Sequence, residues 1–348
     1  MHDFAQRLIA WQRRHGRHDL PWQAATDAYA VWVSEIMLQQ TQVDTVIPYF
    51  RRFMARFPDV AALASAPLDD VLALWSGLGY YARARNLHAA ARRILDWHGG
   101  VFPERFEDIR NLPGVGRSTA AAIASLAHGE RHAILDGNVR RVLCRLFGVQ
   151  GWPGERAVEE RLWQLAESLL PERDIGTYTQ GLMDLGATVC TRHRPYCDTC
   201  PFAAECVAAR QGRQTELPNP RPRKALPTRA TVMLLLRHGG EIMLERRPPA
   251  GIWGGLWSLP ECAADEAPAA AAKRLGCQVS AARPLPTLTH GFTHFRLEIR
   301  PWLLSVDRHA MVADVCARLW LMPEEAILAA VPTPVRRLLA SLARGDDG

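Results

Sequence analysis

Four of the chain's eight cysteines, Cys190, Cys197, Cys200 and Cys206, fall within 17 residues in the spacing Cys-x6-Cys-x2-Cys-x5-Cys, while Cys144, Cys262, Cys277 and Cys316 are scattered. Four thiolates that close in sequence can converge on one centre, because a tetrahedral or cubane site needs four soft donors around a single point. Two disulfides are the plain alternative. They suit a small secreted domain, whereas 348 residues can bury a core without staples. The first twenty residues also carry no secretory signal, since His15, Arg17 and Asp19 interrupt them. Zinc commonly uses two Cys-x2-Cys knuckles, and here there is one. The uneven spacing lets one chain wrap a larger cluster, so one 4Fe–4S cluster is the expected cofactor.

The length predicts two domains. Residues 1–208 read as all-helical. Trp32, Ile36, Gln39, Val43 and Ile47 recur at helical steps, as do Leu63, Val71, Leu72, Trp75 and Leu78, and Pro and Gly pairs cut the run into helices of ten to fifteen residues. Residues 209–228 read as a stiff basic linker, with Pro218, Pro220, Pro222 and Pro227 among Arg210, Arg213, Arg221, Arg223 and Lys224. Residues 229–345 turn to a period of two and read as an α+β domain. Strands are expected at 231–236, 241–245 and 295–304, and helices at 267–275 and 334–342. The longest apolar runs are far too short to span a bilayer, so a cytoplasmic location with no membrane partner is expected. A net charge of +6 and a pI near 9.0 permit a polyanionic partner without proving one. Lysine occurs only at Lys224 and Lys273, so residues 1–223 offer no side-chain amine.

The second strong pattern is Leu112-Pro113-Gly114-Val115-Gly116-Arg117-Ser118-Thr119-Ala120. Its glycines allow a tight joint between helices, and the second helix then opens with free backbone N–H groups suited to a phosphate. A helix–turn–helix joint with no ligand is the bland alternative. Followed by an Ala-rich helix, the pattern looks like a helix-hairpin-helix that grips the DNA backbone without reading sequence.

Glu35 lies in the apolar run Val31-Trp32-Val33-Ser34-Glu35-Ile36-Met37-Leu38, and burial there would raise its pKa toward neutrality. Asp136, in Leu135-Asp136-Gly137-Asn138-Val139, reads equally as a helix cap or as an ionised carboxylate at a helix entrance. One protonated and one ionised carboxyl are what cleavage of a glycosidic bond through an oxocarbenium-like transition state requires. On DNA, the target base must also leave the stack. Gln39, Gln40, Thr41, Tyr80 and Tyr81 are candidates to hold the opened duplex; ordinary helix-surface or core roles stay open for each.

The hairpin, the Leu-Asp-Gly-Asn stretch and the four-cysteine spacing together resemble the endonuclease III superfamily of DNA glycosylases. Ser34-Glu35-Ile36-Met37-Leu38-Gln39-Gln40-Thr41-Gln42 and Gly77-Leu78-Gly79-Tyr80-Tyr81-Ala82-Arg83 resemble its adenine-specific branch, which removes adenine mispaired with 8-oxoguanine. The resemblance spans essentially the whole chain. It implies a mainly α helix-hairpin-helix glycosylase domain with an iron–sulfur cluster, followed by an α+β Nudix-like domain that recognises 8-oxoguanine. It further implies that Glu35 is the general acid, that Asp136 stabilises or captures the sugar cation, and that Asn138 positions them. Gln40, Thr41 and Tyr80 would wedge the duplex, with Leu112, Gly114, Val115, Gly116 and Ser118 on the DNA backbone. Phe292, Thr293 and His294 stand where relatives commonly read Phe-Ser-His, so they would read the lesion. The cluster held by Cys190, Cys197, Cys200 and Cys206 would shape a DNA-contacting loop. The implied partner is double-stranded DNA with an adenine opposite 8-oxoguanine or guanine, bound by a monomer at the nucleoid of a bacterium.

Bifunctional relatives carry a Schiff-base lysine just after the hairpin, where Ser118 stands here, and Arg140 replaces a lysine common after Asp-Gly-Asn-Val. A monofunctional enzyme with little or no lyase activity follows. Arg247-Pro248-Pro249-Ala250-Gly251-Ile252-Trp253-Gly254-Gly255-Leu256-Trp257 fits the stretch before a Nudix box. The box and its metal-binding carboxylates are missing from residues 259–276, which argues against a pyrophosphatase. A lyase acting on oxidised pyrimidines and a non-catalytic lesion binder are the competing readings.

Overall fold

A computed structural model describes residues 3–23, 27–222, 225–249, 251–308 and 318–345. Arg223, Lys224, Ala250 and Cys316, named above, lie outside the described residues. Contacts divide the chain into two units, Met1–Ala66 with Asn86–Arg223, and Pro67–Arg85 with Lys224–Gly348.

Every regular element described in the first unit is helical. The helix Ala28–Leu38 is buried on nearly every side, as an all-round apolar sequence demands, and Asp27 caps it by accepting the N–H groups of Tyr29 and Ala30. Trp32 at its centre has no exposed surface and lies 5.4 Å from the Phe102 ring. The apolar pattern from Leu63 to Leu78 is cut at Pro67, as the sequence leads one to expect. It breaks into Val60–Ser65 and Leu68–Trp75 at Ala66-Pro67, where proline cannot continue the helix, and the second piece belongs to the other unit. Some helices are therefore shorter than the expected ten to fifteen residues.

The core of the first unit gathers Phe4 and Leu8 from the first helix, Leu143 and Leu146 from the helix Gly137–Phe147, and Tyr178 and Phe202. Phe202 stacks on Phe4 at 4.4 Å, and Arg7 reaches Glu205 and the Pro201 carbonyl, so the cysteine-bearing loop is seated on that core. Much of the stretch read as a connector also lies on this unit. Leu217 is buried, Asn219 accepts the Gly151 N–H at 2.8 Å, and Arg221 sits over Trp152.

Among the described residues the second unit holds a mixed sheet of eight strands: β1 (Thr228–His238), β2 (Glu241–Arg246), β3 (Trp257–Ser258), β4 (Glu261–Cys262), β5 (Cys277–Pro284), β6 (Leu288–Gly291), β7 (Arg296–Arg308) and β8 (Arg318–Leu321). Its path runs β3-β2-β1-β7-β5, with β4, β6 and β8 on β1, β7 and β2. β1 and β7 pair in parallel, Val232 opposite Arg300 and Leu236 opposite Leu304. A parallel pair needs a crossover, and the helix Pro268–Arg274 lies between them, Ala271 and Ala272 packing under Val232 and Leu234. The continuous apolar run of β1 is that of a strand covered on both faces. β1, β2, β7 and the helices Pro268–Arg274 and Thr333–Ala343 coincide with the expected elements. β5 and β6 did not show in the sequence, because β5 carries a bulge near Val279 and neither alternates cleanly. Among the described residues no helix is long and apolar enough to cross a membrane.

Candidate active site

Asp136 is placed by the helix Gly137–Phe147, which it caps. Its backbone is extended, and its carboxylate accepts the Val139 N–H at 2.7 Å and the Asn138 Nδ2–H at 3.3 Å. The capping reading of Asp136 is thus the one these bonds show. The approach to it is fixed by Ser118, whose Oγ accepts the Leu135 N–H at 2.9 Å. Burial pushes the Asp136 carboxyl up. The Val139 N–H, the Arg141 guanidinium and Asn138 push it back.

Glu35 stands on the helix Ala28–Leu38 with part of its surface open, and burial followed by the Asp136 charge pushes its carboxyl up to about 7. That influence of Asp136 on Glu35 makes the two carboxyls near neighbours. Both are raised by burial, but the donors and the cation act on Asp136. Asp136 stays raised on balance, and Glu35 holds a proton near neutrality.

Asn138 connects this pair to the cysteine loop. Its Oδ1 accepts from Arg141 Nη2 at 2.8 Å, and the same nitrogen donates to the Gly186 carbonyl at 2.7 Å. Arg141 Nε donates to the Cys190 carbonyl at 2.7 Å. A Cβ at Gly186 would stand 2.5 Å from Asn138 Cβ, so only glycine lets the two segments pass this closely. One turn on, the buried Arg145 donates to the carbonyls of Leu217, Thr191 and Arg192 at 2.7–2.9 Å and to Cys190 Sγ at 3.4 Å. Sequence reasoning missed Arg141 and Arg145. Their only signal is a spacing of four from each other on the helix that Asp136 caps, which puts both on one helix face.

Among the described residues no group of three or more His, Cys, Asp or Glu side chains is placed to hold a metal ion. Cys190, Cys197, Cys200 and Cys206 are instead free thiols around one cavity of about 30 Å³, with Arg145, Tyr196 and Gln214 at its wall. Burial pushes Cys200 up to about 11, and the other three cysteines add to it, so all four are near neighbours. Four soft donors about one small space fit a cluster shared among them.

The expected hairpin is present between the helices Phe106–Arg110 and Arg117–His128. Leu112 and Val115 are buried under it. Gly114 has φ +76°, and a Cβ there would meet Asn86 Cβ at 2.6 Å, so glycine is required on two counts. Gly116 caps the second helix with no side-chain acceptor on its first N–H groups. Arg117 turns away from that end, over Trp163 at 3.8 Å and onto Glu167. A cavity of about 310 Å³ lies beside it, away from the carboxyl pair, lined by Phe106, Arg131, His132 and Leu170. Arg140 is held by the Leu135 and Pro153 carbonyls and by Glu159.

Gln40 and Tyr80 are both exposed and both left-handed, with φ of 59° and 50°. Non-glycine residues held there store strain of the kind that gathers at functional sites. Thr41 follows Gln40, its N–H on the Leu38 carbonyl. Gln40 and Thr41 lie in the first unit. Tyr80 lies in the second, as do Phe292, Thr293 and His294. Phe292 stacks on Phe295 at 4.6 Å beside His290, while Thr293 and His294 are exposed, Oγ1 to Nδ1 at 2.8 Å.

A hairpin between helices, with a half-buried acid before it and a capping aspartate after it, defines a class. Residues 33–168 match the HhH-GPD superfamily of base excision DNA repair proteins, and residues 231–341 match the NUDIX domain. A thermostable thymine-DNA glycosylase has the same fold with a TM-score of 0.54 and 29% identity, over 60% of this chain and 95% of that one. Endonuclease III from a non-covalent DNA complex superposes with a TM-score of 0.51 over 60% of this chain and 94% of its own, at 20% identity. Nearer relatives narrow the class. The adenine DNA glycosylase of Buchnera aphidicola subsp. Acyrthosiphon pisum is 36% identical over 97% of this chain and 96% of its own. That of Homo sapiens is 35% identical over 96% of this chain and 73% of its own. The chain belongs to the adenine DNA glycosylase family, as a glycosidase of base excision DNA repair.

Proposed function

We propose that the chain removes adenine opposite 8-oxoguanine or guanine in double-stranded DNA by hydrolysing its N-glycosidic bond, and that it does so without a lyase step. The observation that carries this is the unequal carboxyl pair, Glu35 raised to about 7 and Asp136 supplied with donors and a nearby cation. Glu35 gives its proton to a ring nitrogen of the flipped adenine and so makes it a neutral leaving group. Asp136, ionised at its helix entrance, faces the positive charge that develops on the sugar. Asn138 holds the Asp136 carboxylate through its amide. No lysine stands in residues 1–223, and Arg140 is engaged by three partners, so no side-chain amine in the helical unit is available to form a Schiff base.

The DNA backbone lies on the hairpin at Leu112, Gly114, Val115, Gly116 and Ser118, where the helix N–H groups have no side-chain cap. Gln40, Thr41 and Tyr80 hold the opened duplex, and Phe292, Thr293 and His294 read the base opposite the adenine. Cys190, Cys197, Cys200 and Cys206 hold one 4Fe–4S cluster, which when bound gives order to the loop between them and does no chemistry at the base. The working form is a monomer in the cytoplasm, at the nucleoid.

Single-turnover release from a duplex with one adenine opposite 8-oxoguanine tests the reading. Strand breaks are expected only after alkali. Breaks without alkali, at the rate of base release, would overturn the monofunctional assignment, and tight binding with no release would replace the enzyme with a lesion binder.

A further inference from the structure

The segment 67–85 interrupts the helical unit in sequence, yet its contacts belong to the unit that carries the sheet. Polar bonds explain why. Asp69 receives both terminal nitrogens of Arg246, at 3.1 and 2.5 Å. Ser76 Oγ accepts from Arg336 at 2.6 Å, and the Tyr81 hydroxyl donates to the Val331 carbonyl at 3.3 Å. Arg85 Nη1 donates to the Gly254 carbonyl at 2.5 Å.

That last bond runs from the first turn of the helix Ala82–His98, which directly follows one strained turn, to another. On one side is Tyr80, 48% exposed and left-handed. Its turn is braced by Trp75 Nε1 on the Gly79 carbonyl at 3.2 Å and by Arg83 on the carbonyls of Leu78 and Gly79. On the other side Trp253 is buried, with φ 55°, and its ring lies 5.6 Å from Phe292 and 5.7 Å from His290. A Cβ at Gly254 would stand 2.4 Å from the Pro249 carbonyl oxygen, so this turn is closed tightly on itself.

We infer that Arg85 is a positioning residue that, through Gly254 and Trp253, holds the Tyr80 turn and the Phe292–Thr293–His294 loop in one fixed relation. Insertion of Tyr80 and reading of the opposite base then succeed or fail together. The inference rests on the assignment of Tyr80 and Thr293 to the lesion.

The test is a double-mutant cycle on the full chain, read as affinity for a duplex carrying 2′-fluoro-2′-deoxyadenosine opposite 8-oxoguanine. With Arg85 in place, Tyr80→Leu and Thr293→Ala should each weaken binding by about 10-fold and together by only about 20-fold, because contacts on one rigid body couple. In Arg85→Gln the pair should approach the product, about 100-fold, and Arg85→Lys, which keeps a donor for Gly254, should restore the deficit. Trp253→Leu breaks the same link from the other side and should give the Arg85→Gln result should that variant fail to fold. A deficit unchanged in Arg85→Gln, or in Trp253→Leu, overturns the inference. Single variants that each stay within about two-fold of the parent sink the lesion-contact assignment itself, and the inference with it.

Discussion

The carboxyl pair and the Tyr80–Phe292 region are built by opposite means. Glu35 and Asp136 sit where burial shifts their protonation, and their positions are set by two helices, one through its apolar interior and the other through its N-terminal cap. Tyr80, Thr293 and His294 are exposed. They are held by turns that carry backbone strain and by bonds from distant side chains to carbonyls. Chemistry on the glycosidic bond needs a low dielectric and unequal protons. Reading an opposite base needs reach and a fixed frame. A substitution in the first region should therefore change rate at unchanged affinity, and one in the second should change affinity and preference.

The strongest test of that contrast is Glu35→Gln. Base release should fall by about 10³-fold or more, the range of a lost general acid, while affinity for the 8-oxoguanine duplex stays close to the parent's. A parallel loss of affinity would merge the two regions into one. Asp136→Asn keeps a good cap and removes the charge, so release should fall by about 10²–10³-fold with the helical circular dichroism unchanged. A drop in helicity would assign Asp136 to structure alone.

Arg145→Met strands the carbonyls of Leu217, Thr191 and Arg192 and should destabilise the first unit by about 3 kcal/mol, with loss of bound iron measured alongside the melt. Full iron content and an unchanged melt would refute that role. Thr293→Ala should lower the ratio of release from adenine opposite 8-oxoguanine to that opposite guanine by about 10-fold, and Thr293→Ser by less than about 2-fold. An unchanged ratio would remove Thr293 from lesion reading.

The pH dependence separates the regions most finely. With its acid titrating at about 7, release should lose about 10-fold per pH unit above that value, while duplex affinity follows no such limb. The same shift bears on stability. A carboxyl raised in the folded state favours folding fully below its unfolded pKa and loses that contribution as pH rises through about 7. Glu35→Gln removes the titration, so its melting temperature should exceed the parent's at pH ~8, by up to about 3 kcal/mol in stability, and converge with it near pH ~5. Equal melting temperatures at both pH values would show Glu35 to be solvated.

The sequence by itself determined the chemical groups. Four closely spaced cysteines, an acid in an apolar helix and an aspartate before Gly-Asn are statements about residue type and spacing, which survive without a fold. The hairpin was legible for the same reason, since Gly114 answers to a local backbone angle. Helical and alternating periods also marked the two halves and three of the strands. The structure decided what depends on distance along the chain. It showed Asp136 as a helix cap, through the Val139 N–H, and gave Ser118 its acceptor role toward Leu135. It assigned Arg141 and Arg145 to a loop some 45 residues further on. It also moved the segment 67–85 out of the helical unit, through Arg246, Gly254 and Arg336, each at least 169 residues away from its partner. Periodicity cannot show such an allegiance, because a helix packed on a sheet and one packed on helices bury the same kind of stripe.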